Sequence, residues 1–71
     1  MFEVRSTSPF DDEWQHRDIL IDAAAGRTSD ASGAGGGQRD HYWEVNSFAE
    51  AQQMKNRLER IEGVVVTIRE A

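Results

Sequence analysis

Residues 40–69 leave the chain few ways to fold. Ser47-Phe48-Ala49-Glu50 is a capping box, in which the serine oxygen takes the N3 amide and the glutamate reaches back to the cap amide. Phe48, Ala51, Met54, Leu58 and Ile61 then recur three or four apart, predicting a helix over Ser47–Glu62 with one apolar face. Lys55 and Glu59 fall at i,i+4 on its wet side, and Gly63 ends it. On both sides the period changes to two. In Asp40–Val45, His41, Trp43 and Val45 share one face, and Tyr42 and Glu44 share the other. In Val64–Arg69, Val64, Val66 and Ile68 are aligned. Two strands and a helix, each apolar on one side, must bury those sides against one another in layers.

The first half repeats the pattern less cleanly. Phe2 and Val4 alternate with Glu3 and Arg5, predicting a strand over Met1–Thr7. Ser8 reads as an N-cap and Pro9 as the first helical residue, with Asp11, Asp12 and Glu13 at the positive end of the helix dipole. That predicts a helix from Pro9 to Ala25, with Phe10, Trp14, Ile21 and Ala24 near one stripe, Leu20 widening it and Gly26 closing it. A strand over Arg17–Ala23, suggested by Ile19 and Ile21, is the competing reading, and the start signals favour the helix. Arg27–Gln38 reads as a flexible Gly/Ser-rich segment. A loop that long is uncommon inside a small domain, so a short polar edge strand is expected near Arg27–Ser32, followed by a glycine turn.

The resulting order, β-α-(β)-β-α-β over residues 1–71, predicts one α+β domain. It is a two-layer sandwich with both helices on one face of a three- to four-stranded, mainly antiparallel sheet. This order resembles the ferredoxin-like split βαβ plan. The resemblance is one of element order over the whole chain and carries no functional residues with it. The face turned from the helices is expected to hold Glu3, Arg5, Thr7, Tyr42, Glu44, Val65, Thr67 and Arg69, a mixed-charge set suited to cross-strand pairing in water.

Composition narrows function mainly by exclusion. There is no cysteine, hence no disulfide, thiolate zinc site or thiol nucleophile. The longest apolar runs are Ile19–Ile21 and Val64–Val66, far short of a membrane span, and the N-terminus lacks a secretion-signal pattern. A soluble cytoplasmic protein is expected. A net charge of −5 opposes direct nucleic-acid binding. Gly33–Gly37 lacks the following helix and the Lys-Ser/Thr ending of a phosphate loop. Asp12 and His16 supply too few ligands for a metal. Asp18 and Asp22 read as a solvated acidic helix face, and no nucleophile set stands out. Trp43 is assigned to the core, Tyr42 to an exposed position.

No cofactor, metal or catalytic residue is therefore assigned. The reading is a non-enzymatic, acidic protein-interaction module, an inhibitor or adaptor acting on a basic protein surface such as that of a nucleic-acid-binding protein. The analogy is to small inhibitors of phages and mobile elements, anti-CRISPR proteins among them, by size and character alone. The assigned contacts are Asp11, Asp12, Glu13, Asp18 and Asp22 on the first helix, and Tyr42. A monomer or weak dimer is expected. The alternatives are a ferredoxin-like ligand-binding or enzymatic domain acting as an oligomer, and a structural accessory domain of a larger assembly.

Overall fold

The computed structural model describes residues 1–71. The elements run β1 (Phe2–Pro9), α1 (Trp14–Ala25), β2 (Ala31–Gly35), β3 (Gln38–Val45), α2 (Phe48–Leu58) and β4 (Val65–Glu70). The four strands form one sheet in the order β2-β3-β1-β4, with every neighbouring pair antiparallel. It is an α+β two-layer fold consistent with the ferredoxin-like plan.

Register sorts the side chains. Val4 lies opposite Trp43 and Ile68, and Ser6 opposite His41 and Val66, all on the helix side. Arg5 lies opposite Tyr42 and Thr67 on the open side. Val4, Trp43, Val45, Val64 and Val66 are buried under Ala51, Met54 and Leu58 of α2 and Ile21 and Ala25 of α1. At about 1.5–3 kcal/mol for each large apolar side chain withdrawn from water, this cluster is the main source of stability. The second helix commits three residues to it and α1 two, both in the C-terminal half of that helix.

The second helix begins as its sequence demands. Ser47 Oγ accepts the Glu50 amide at 3.2 Å, while Glu50 Oε2 takes the Asn46 amide at 3.4 Å, one residue before the cap. It is shorter than Ser47–Glu62, ending at Leu58 and passing through turns to Gly63 at φ 85°. Phe48 is 54% exposed and packs edge-on against Phe2, so it lies outside the buried stripe.

Three expectations for the first half are corrected. Ser8 and Pro9 finish β1 instead of starting a helix. The Phe10 amide donates to Gly37 O, so the Pro9 nitrogen is turned the other way, beyond the point where β4 starts pairing at Val65. A missing N–H costs nothing there. The helix starts at Trp14 because Asp11 organises the turn before it: its Oδ1 accepts the Glu13 amide at 3.0 Å and its backbone carbonyl accepts the Trp14 amide. Phe10 and Asp12 thus lie outside the helix, so the Asp12–His16 pairing on one helical face does not exist, and His16 is exposed. The buried stripe is Ile21 and Ala25, with Trp14 and Asp18 half-buried on the same side, whereas Phe10 and Leu20 are about two-fifths exposed.

The edge strand also lies later than expected, at Ala31–Gly35. It joins β3 through Gly36 and Gly37, at φ 58° and 77°, the two positive values that a type I′ hairpin requires. Residues 27–30 are tied to β3. The Asp30 amide donates to Tyr42 O, Asp30 Oδ2 accepts the Glu44 amide at 2.8 Å, and the Trp43 indole N–H donates to Arg27 O at 3.2 Å. The Glu44 amide, with Arg27 beside it, holds the Asp30 carboxyl below its ordinary range. Gly26 closes α1 at φ 84°, as its position predicts.

Candidate functional site

Alternation along β3 places Arg39 and His41 on the same side as Trp43, facing the helices. An arginine and a histidine so placed need partners, and α1 provides one. Asp18 accepts Arg39 Nε at 3.1 Å and Nη2 at 2.8 Å, and lies 2.9 Å from His41 Nε2. Ser29 Oγ lies 3.2 Å from His41 Nδ1 on the other side of the ring. The Arg39 guanidinium stands 5.3 Å from the Trp14 ring centre, and His41 stacks on Trp43 at 5.8 Å. Burial alone would raise the Asp18 pKa, but the hydrogen bonds from Arg39 and His41 outweigh it and hold the carboxyl below its ordinary range.

Asp18, His41 and Ser29 follow one another in the order of an acid–base relay. Two features make the set a clamp instead. Asp18 is already committed to Arg39, whose Nε and Nη2 both donate to its carboxylate. His41 is only 2% exposed and cannot itself meet a substrate. The cluster joins α1 to β3 ahead of Ile21 and Ala25, in the half of the helix that contributes no residue to the buried core. Ser6, opposite His41 in the register, is fully buried with its hydroxyl unpaired, as is Asp22 Oδ1 at the helix flank.

The six contact residues assigned from sequence therefore separate. Asp18 does not belong to an exposed acidic face, because it is turned inward and charge-paired. Asp22 is half-buried. Asp11 is held by both terminal nitrogens of Arg17, whose hydrogen bonding lowers its pKa. Asp12 and Glu13 remain exposed and free of basic partners beside Phe10. Tyr42 lies on the opposite sheet face, half-buried, with Arg5 over its ring at 5.7 Å. The polar cluster was missed although its signal was present: His41 already sat on the apolar face of its strand, and Arg39 two residues earlier shares that face.

Six of the eight Lys and Arg side chains form ion pairs with carboxylates: Arg5, Arg17, Arg27, Arg39, Lys55 and Arg69. Only Arg57 and Arg60 remain, against seven carboxylates without a basic partner. The open sheet face is internally matched through Arg5–Asp40 and Arg69–Glu3. No helix is long and apolar enough to cross a membrane. No protein-family model, curated protein or solved structure matches the chain.

Proposed function

We propose that the protein is a non-enzymatic interaction module, an adaptor or inhibitor that docks on a basic protein surface. The observation that carries this reading is the internal consumption of its cations, which leaves an outward surface dominated by free carboxylates. Such a surface speeds encounter with a cationic groove and suppresses acidic partners. The contact centres on the turn ahead of α1, where Asp12 and Glu13 follow closely after Phe10, an aromatic side chain 42% exposed. Aromatic side chains anchor many interface hot spots, and nearby charge steers the encounter. Asp11 and Asp18 are tied to arginines within the chain, Asp22 is half-buried, and Tyr42 lies outside the contact.

Affinity capture from the source cells at low and raised salt tests the reading. Capture with the wild-type chain and an Asp12→Lys/Glu13→Lys variant should give a set of basic proteins that shrinks with salt and is lost in the variant. A captured set unchanged by reversing both charges overturns the proposal. A solution mass well above that of the monomer would favour an oligomeric ligand-binding domain instead.

A further inference from the structure

We propose that the cleft between α2 and the loop following α1 binds a free α-amino acid through its zwitterionic head. The inference rests on the cleft alone and is independent of the partner reading. The cleft is a half-open depression of about 310 Å³, at the small end of the range of about 300–1,000 Å³ for small-molecule sites. Val45 and Met54, both almost fully buried, contribute the apolar part of its lining, and the rest is polar.

Arg57 is one of the two cations without a carboxylate partner. Its Nε donates to Ala24 O at 2.8 Å, tying the guanidinium to the end of α1 and leaving the two terminal nitrogens without a protein partner. Arg27 lines the same cleft, held by Asp30 at 2.8 Å and by the Glu44 carbonyl at 2.6 Å. The fork of a fixed arginine suits bidentate binding of a carboxylate. Glu50 is the lining carboxylate on α2. Its Oε2 is anchored to the Asn46 amide, and it has no basic partner. Glu50 and Arg57 stand seven residues apart on one face of α2, about 10.5 Å along the axis, and do not pair with each other. At that separation the two charges lie beyond the i,i+3 and i,i+4 reach at which helix side chains pair, so each is left for the opposite charge of a ligand that carries both. The carboxylate of the amino acid is received by Arg57 with Arg27 beside it, the ammonium by Glu50. Asn46 and Gln53 offer amides to the side chain, over a floor in which little of Val45 and Met54 is exposed.

Titration of the isotope-labelled full chain, followed by amide chemical shifts, tests this with three classes of probe: the α-amino acids singly, acetate, and methylammonium. At least one amino acid should give saturable shifts confined to Arg27 and Asn46–Arg57 below about 20 mM, well above a weak Kd of about 1 mM. Acetate should bind at least tenfold more weakly, and methylammonium more weakly still. Arg57→Gln should weaken the amino acid at least tenfold. Glu50→Gln keeps an acceptor for the Asn46 amide and should abolish the preference for an amino acid over acetate. Four results overturn the proposal: no saturable shift with any amino acid, acetate binding as tightly as the amino acids, an undiminished response in Arg57→Gln, or an unchanged preference in Glu50→Gln. Because Glu50→Gln is conservative and exposed, its arm decides the matter even if Arg57→Gln loosens the helix pair.

Discussion

Replacing Asp18 with Ala tests how much the charge cluster adds to the apolar contacts of Ile21 and Ala25 in holding α1. The substitution removes the acceptor for two Arg39 nitrogens and the partner of His41 Nε2, leaving an arginine 18% exposed at its side chain without a counter-ion and a histidine 3% exposed without that hydrogen-bond partner. Taking one partner from a fully buried pair costs about 3–5 kcal/mol. Asp18 retains 19% exposure, so water recovers part of that, and the expected loss is about 2–4 kcal/mol. A chain of 71 residues has roughly 4–10 kcal/mol in total, so the variant should be near its limit. Urea unfolding followed by circular dichroism measures the loss, and a cycle with Arg39→Ala and the double variant should give a coupling of about 1–3 kcal/mol. A loss below about 0.5 kcal/mol, the size of a surface change, would refute the clamp. So would additive behaviour of the two substitutions. The same carboxyl sets a pH dependence. Its folded pKa lies below the ordinary 3.8, so the unfolded chain binds the proton first. Its contribution is complete well above pH 3.8 and is lost as pH falls through the folded value. Asp18→Asn should therefore flatten the acid limb of stability below pH 3.8.

Leu58→Ala, at a fully buried position, should cost about 2–5 kcal/mol by urea unfolding, and a negligible loss would mean that α2 presents another face to the sheet. Ser6→Ala should raise the thermal midpoint, by up to about 1 kcal/mol in stability, because it removes a buried hydroxyl with no partner; a clear fall would show that the hydroxyl is engaged. Gly36→Ala should cost roughly 1–2 kcal/mol through its φ of 58°, measured by chemical denaturation, and an unchanged midpoint would argue against the I′ turn. Reversing Asp18 and Asp22 together to Lys should unfold the chain, whereas Asp12→Lys/Glu13→Lys should leave its circular dichroism spectrum intact.

The elements most legible from sequence are those in which local signal and burial agree. His41, Trp43 and Val45 alternate because one side of β3 is covered, and Ala51, Met54 and Leu58 recur because one side of α2 is. Ser8-Pro9 misleads because its chemistry suits two places, a helix start or the end of a strand whose neighbour has already stopped. The choice depends on where β4 begins, some 55 residues away in the chain. Around α1 the apolar pattern is weak for a physical reason: Asp18 occupies a position on the inward stripe, and Ile19, 68% exposed, faces outward. A carboxylate on a buried stripe can be recognised only once its arginine is known to lie across from it. The mixed-charge open face was legible, because strand alternation alone assigns it. The cleft was not, since it joins a loop, a strand end and a helix flank whose residues share no period.

All five residues of β2 are exposed, so neither of its faces is covered by another layer. The hairpin Ala31–Gln38 is consequently held by hydrogen bonds to β3 and by its turn, with almost no side-chain packing to satisfy. Foreign sequence of equal length could be grafted there at little thermodynamic expense, provided Gly36 and Gly37 are kept. The fold thus contains a natural display site on its outermost strand, whose own side chains all lie outside the buried cluster that begins at the adjacent β3.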